Sequence, residues 1–181
     1  MPTSAAVTHG MYFEEIEPGF SITSAGRTIT ETDIVMFAGL SGDYNPLHTD
    51  EEYSKQTMFG GRIAHGLLGL SIASGLAMQV GFMLGTVEAF RELSWQFRKP
   101  VVAGDTVHIE AKTASKKAIR GYKGGLVSLD ISLINQKGEA VHRGTWTLLV
   151  KGKPEAASGA TPSPSADLAA GIVLRADVQK P

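Results

Sequence analysis

Residues Ile63 to Val87, IAHGLLGLSIASGLAMQVGFMLGTV, contain no Asp, Glu, Lys or Arg, and a run of this length could cross a bilayer as a helix. Five glycines (Gly66, Gly69, Gly75, Gly81 and Gly85), with Ser71, Ser74 and Gln79 in the middle, dilute its hydrophobicity well below that of a Leu-rich anchor. No second run of this kind occurs in the chain. A helix apolar on every side is also what the centre of a soluble domain requires, where small residues let strands approach its axis closely. The stretch therefore reads as a buried central helix, and the remaining chain must supply its wrapper.

Downstream, the periodicity changes to two. Val87 to Lys99 alternates Leu93, Trp95 and Phe97 with Ser94, Gln96 and Arg98 before Pro100 ends it. Val107 to Lys116 sets Val107, Ile109 and Ala111 against His108, Glu110 and Lys112, and Leu126 to Ile134 puts Leu129, Ile131 and Leu133 on one face. Ala140 to Val150 is a further strand, with Val141, Arg143, Thr145, Thr147 and Leu149 facing one way. Turn signals at Ala103-Gly104-Asp105, Gly121 to Gly125 and Gln136 to Glu139 predict an antiparallel meander of consecutive strands. Upstream, Phe20 to Thr30 is extended. A helix follows, capped by Thr30 or Thr32, with Ile34, Phe37 and Ala38 as its apolar stripe and Leu40 as a candidate extension of it. Ser41 to Pro46 must turn, and Asp50 to Gln56 forms one short helix capped by Asp50. One long buried helix plus a meander makes an α+β domain whose sheet wraps the helix.

Composition agrees. The chain has 181 residues, 43% apolar and only 19% charged, against roughly 25% charged in an ordinary soluble domain, and much of that deficit lies in the one helix. A net charge of -1 supplies no global field toward nucleic acid or anionic membrane. With no cysteine, thiolate nucleophiles, iron–sulfur clusters and cysteine-held zinc are excluded. Residues 1–11 read as an N-terminal segment without a basic or apolar signal region, so the expected localisation is cytoplasmic. Residues 152–181 form a Pro/Ala/Ser/Gly-rich linker and tail, in which Ile172-Val173-Leu174 either docks back or stays unstructured.

Polar groups crowd without structural need at Asp43-Tyr44-Asn45-Pro46-Leu47-His48-Thr49-Asp50. A carboxylate and an imidazole five residues apart on a loop stiffened by Asn45-Pro46 can converge on one small molecule and divide acid and base duties. The same Asp43 could equally bond turn amides, and Asp50 is better placed as a helix cap. Asp43, His48, Asp50 and His65 match no known metal-ligand spacing, so no metal is assigned. Ile63-Ala64-His65-Gly66 opens the apolar helix, where free N–H groups favour an anion. The Gly66 amide could hold an oxyanion developing on a thioester carbonyl, while His65 caps or packs. Ser74 could place its hydroxyl under the same cavity, or bond the carbonyl four residues back.

The stretch Phe37 to Asp50 (FAGLSGDYNPLHTD), followed by Phe59 to Gly66 (FGGRIAHG), resembles the signature of the MaoC-like dehydratases, which include the (R)-specific enoyl-CoA hydratases. The similarity covers residues 12–151. It implies a hot-dog fold, an antiparallel sheet around one long helix, and typically homodimers or dimers of dimers with sites near the interface. The family's catalytic Asp and His fall on Asp43 and His48, its oxyanion glycine on Gly66 and its supporting serine on Ser74. Asn45 takes the loop asparagine's positional place, and Ile63, Ala64 and His65 lie beside the substrate. The implied reaction is reversible hydration of a trans-2-enoyl-CoA to an (R)-3-hydroxyacyl-CoA, with coenzyme A as part of the substrate and no separate cofactor. A hot-dog acyl-CoA thioesterase and a noncatalytic acyl-CoA-binding subunit are the rival readings. Met36, Phe82, Met83 and Phe90 are candidate acyl-tunnel residues, whereas Arg62, Arg98 and Lys99 are as often solvated charges, so no phosphate partner is assigned.

Overall fold

The computed structural model describes residues 10–155. The expected docking or disorder of Ile172 to Leu174 lies outside the described residues. The chain begins with a single 3-10 turn at Phe13–Glu15 and two short strands, β1 (Ser21–Thr23) and β2 (Arg27–Thr28). Three helices follow: α1 (Glu31–Ser41), α2 (Pro46–Thr49) and α3 (Glu51–Lys55). The long helix α4 (Gly66–Gln79) then precedes β3 (Val87–Phe97), β4 (Thr106–Ala118), β5 (Gly124–Asn135) and β6 (Ala140–Lys151).

The extended lead-in is one strand broken in two. Thr23 pairs with Glu110 and Arg27 with Val107, so four steps on one strand oppose three on β4, a bulge. At the break the Ser24 hydroxyl accepts from the Ile109 amide at 3.0 Å, keeping a ladder donor satisfied. Thr30 caps α1. Its hydroxyl accepts from the Asp33 amide, and the Asp33 carboxylate accepts from the Thr30 amide at 2.8 Å. Burial alone would raise the Asp33 pKa, but bonds from Thr30 and from Arg27 outweigh it and hold this carboxyl low. Gly42, at φ 75°, closes α1 in the left-handed conformation that a side chain disfavours. Ile34 and Ala38 are buried as expected, whereas Leu40 is exposed, because the helix packs by one narrow stripe.

β4, β5 and β6 form the expected meander, but β3 does not join it at β4. The sheet order is β1-β4-β5-β6-β3, with β2 also paired to β4. After Phe97 the chain leaves the sheet edge and crosses beneath the start of α4, where the Ala64 amide donates to Val101 O at 2.7 Å. It then reaches the β2 side, where the Ile29 amide donates to Asp105 O. Pro100, which cannot donate to a ladder, and the Gly104 turn make this crossover possible.

The sheet's concave face carries rows of side chains set by the register. One row runs Ile109, Leu133, His142, Phe97, and the next runs Ala111, Ile131, Gly144, Trp95. Inward-facing Trp146, Leu148 and Val150 on β6 are buried, and the Arg143-to-Leu149 set points to the convex side. Against the concave face α4 buries Leu68, Gly69, Ile72, Ala73, Leu76 and Ala77. Two expectations about the apolar stretch change here. The helix ends at Gln79, with Gly81 at φ 88° beginning a turn. It is also not covered all round: Leu67, Ser71, Ser74, Gly75 and Met78 face outward in the single chain. The sheet is curled on one side of the helix, and one five-stranded face cannot enclose the whole cylinder. Among the described residues, no helix is long and apolar enough to cross a membrane.

Candidate active site

The polar loop is built by side chains that each cap an amide two residues on. Ser41 Oγ accepts from the Asp43 amide at 3.2 Å, Asp43 Oδ1 from the Asn45 amide at 3.2 Å, and Asn45 Oδ1 from the Leu47 amide at 3.0 Å. Asn45 thereby starts α2, whose first residue is Pro46. This places His48 in a single helical turn, and Asp50 caps α3 through the Tyr53 amide. Asp43 thus holds the turn through one oxygen, the structural job foreseen for it, while its carboxylate stays exposed beside His48.

Asp43, His48 and His65 each bring one polar atom to within 4.8 Å of the others. His48 Nδ1 is 2.8 Å from Ile63 O, and since a carbonyl only accepts, this nitrogen carries the proton and Nε2 keeps its lone pair. His65, almost fully buried, donates from Nε2 to the Asp43 carbonyl at 2.9 Å. Its ring lies against His48, centroids 3.7 Å apart, with Phe37 on another side at 5.1 Å. The three side chains could each offer an ion one donor atom. The two rings are stacked with only 31° between their planes, so their in-plane lone pairs do not aim at a single point as a tetrahedral ion requires.

His48 and Gly66 open on a cavity of about 300 Å³ whose walls include Ile63, Phe97, Val101 and His142. Gly66 is the first residue of α4; the Gly69 amide donates to His65 O at 3.2 Å, and the amides before it, in the helix's first turn, have no acceptor within the helix and can meet a ligand. Two glycines one turn apart admit aromatic rings against the helix. A Cβ on Gly66 would lie 2.7 Å from the Phe97 ring, and one on Gly69 would lie 2.3 Å from His142 Cε1.

The other expected residues divide. Ile63 and Ala64 line the cavity, but the carbonyl of the first holds His48 and the amide of the second holds Val101. Ser74 sits on the exposed face of α4 and does not border this cavity. Met36 is 69% exposed, Phe82 and Met83 belong to the core, and Phe90 lies tilted against the Trp146 ring, so none of the four expected tunnel residues lines it. Arg62 is committed elsewhere: it donates to Glu51 at 3.0 Å and to both Glu31 oxygens at 3.0 and 3.1 Å, clamping α1 to α3. Those carboxylates hold its guanidinium pKa higher still. Arg98 and Lys99 do border the cavity, with the Lys99 ammonium held in a 2.7 Å ion pair by Glu139. That Phe97, His142 and the 98–101 crossover form this wall is not legible in the sequence, where the Ala103-Gly104-Asp105 turn signal predicts a hairpin from β3 to β4. The signal available was the one-turn spacing of Gly66 and Gly69.

Residues 15–132 match the family described as MaoC like domain. The chain belongs to this family. An (R)-specific enoyl-CoA hydratase from Rhodospirillum rubrum is 44% identical over 97 residues, covering 53% of this chain and 65% of that one. The protein named MaoC from Klebsiella aerogenes is 38% identical over 109 residues, 60% of this chain and 32% of its own length. The matched stretches therefore span less than two thirds of either relative. Among solved structures, a monoamine oxidase regulatory protein from Archaeoglobus has 39% identity and a TM-score of 0.76, covering 81% of this chain and 97% of that one. A Mycobacterium tuberculosis protein described as a double hotdog fold reaches 0.71 at 20% identity over 93% of this chain and 53% of its own. At that identity it speaks to fold alone, and it agrees with the hot-dog architecture of this MaoC-like domain.

Proposed function

We propose that this MaoC-like protein catalyses the reversible hydration of trans-2-enoyl-CoA thioesters to (R)-3-hydroxyacyl-CoA. The observation that carries the reading is that the Asp43 carboxylate lies within 4.8 Å of the His48 imidazole, and His48 shares an apolar cavity with Gly66 at the start of α4. His48 presents its Nε2 lone pair because Ile63 O holds the proton on Nδ1. Water held between Asp43 and His48 gives its oxygen to the β-carbon and a proton to the pair, and the pair returns one proton to the α-carbon, so both groups end as they began. Atoms balance as one water added across one double bond, with no change of redox state. As electron density moves onto the thioester oxygen, the Gly66 N–H at the positive end of α4 stabilises it. His65 acts by position: it anchors the Asp43 carbonyl and backs the His48 ring. Arg98 at the cavity rim, and Lys99 if it exchanges Glu139 for an anion, suit the coenzyme's phosphates.

The active unit we infer is a homodimer joined along β3. That eleven-residue edge strand lacks a partner on one side among the described strands, and it exposes Phe90, Leu93 and Phe97.

Asp43→Asn and His48→Gln are expected to fold and to lose at least about 10²-fold in hydration of crotonyl-CoA or a longer enoyl-CoA. Wild-type rates in both would overturn the assignment. Release of free coenzyme A thiol without a hydrated product would point to the thioesterase, and binding without turnover to the noncatalytic subunit.

A further inference from the structure

The concave face of the sheet is mostly apolar, and the polar residue that it contributes to the cavity wall is His142. His142 is 3% exposed and stands in the register row Ile109, Leu133, His142, Phe97. Its neighbours are the Phe97 ring, edge-on at 5.1 Å, the Trp95 ring at 6.0 Å, and the bare backbone of Gly69. Its Nδ1 has no hydrogen-bond partner. An imidazole buried without a partner is costly, and a phenylalanine or leucine would fill the same room without that cost. The ring is part of the cavity wall that also holds His48 and Gly66, one helical turn further along α4 than the proposed oxyanion amide. Burial keeps the ring neutral, with its pKa pushed down to about 4, so near neutral pH it carries one N–H donor and one lone pair.

We propose that His142 is a specificity residue, whose imidazole takes a hydrogen bond from or gives one to a hydroxyl or carbonyl on the acyl chain. The site would then favour 2-enoyl thioesters bearing such an oxygen over plain alkyl chains. This inference rests on the hydratase reading above. It adds a substrate class to that reading: a polar substituent beyond the reacting double bond completes the imidazole's hydrogen bonding, whereas an alkyl chain leaves it unmet.

The test compares kcat/KM for trans-2-hexenoyl-CoA with that for the same chain carrying a hydroxyl at carbon 5 or 6, in wild type, His142→Phe and His142→Gln. The wild type is expected to favour a hydroxylated substrate by about tenfold, the value of one neutral hydrogen bond. In H142F that ratio is expected to fall about tenfold, and H142Q, which retains a donor and an acceptor, should restore part of it. A purely structural role for His142 would lower both substrates together and leave the ratio alone. Hydration of both compounds with the same ratio in wild type and H142F overturns the inference and leaves the hydratase reading standing. Hydration of neither by wild type overturns both. If H142F does not fold, a wild-type ratio below about twofold still overturns the inference.

Discussion

Gly69 shows how a single missing methyl group shapes this site. A Cβ there would lie 2.3 Å from His142 Cε1 and 2.9 Å from Nδ1, both in a ring held between Phe97 and Trp95. Ring and backbone both have to shift, so overpacking outweighs the helix-propensity gain of roughly 1 kcal/mol for alanine. Gly69→Ala is expected to destabilise the domain by about 1–3 kcal/mol in urea titration; a stabilised variant would show that His142 can move away freely. His142 also makes stability depend on pH. In the unfolded chain its imidazole takes a proton near 6.5, whereas in the fold it does so only near 4. Between those values the unfolded state binds more protons, so this contribution is whole above about pH 6.5 and lost as pH falls toward 4. His142→Phe should flatten the wild-type decline in that window by up to ~1.4 kcal/mol per pH unit. Parallel stability curves for the two proteins would contradict it.

At the scale of elements, α4 has two unlike faces. Gly69 is buried against the sheet, whereas a Cβ on Gly75 would meet nothing within 4 Å. In the isolated chain Gly75→Ala is therefore expected to stabilise the helix by up to about 1 kcal/mol, measured by urea unfolding of the dilute protein. A loss of stability that grows with protein concentration would instead mark this face as covered by another copy. The crossover after β3 is the other decisive element. A hairpin at 98–105 would have put β3 beside β4 and left the entry of α4 bare. The crossover instead brings Arg98 to Val101 across that entry and makes them a wall of the cavity. Alternation shows which residues of β3 share a face, but it does not say which strand β3 pairs with, since either edge of the meander offers the same free amides and carbonyls.

For the whole molecule, the single chain leaves an eleven-residue edge with exposed aromatic residues, and natural sheets protect such edges by pairing or by charge. Sedimentation is expected to give about twice the 19.2 kDa chain mass, and Leu93→Asp should shift the equilibrium toward monomer. Monomeric wild-type protein with full hydratase activity would sink the dimer as the active unit.

Much of this protein was legible in its residues taken in order. The uncharged run announced the central helix, because a long segment without charge must be buried somewhere. Period-two alternation identified four long strands, and Thr30, Gly42, Asn45 and Asp50 mark local boundaries through bonds spanning only a few residues. The Asp43 and His48 pair was readable for the same reason, both lying on one short loop. Tertiary structure alone decided the rest. It ended the helix at Gln79 and left one face open, turned Ser74 outward, committed Arg62 to Glu31 and Glu51, stacked His65 on His48, and carried β3 to the far edge. His142 reached the cavity only through that pairing, nearly a hundred residues after His48. Each of these outcomes depends on which distant surfaces compete for the same space, and sequence spacing holds no record of that competition.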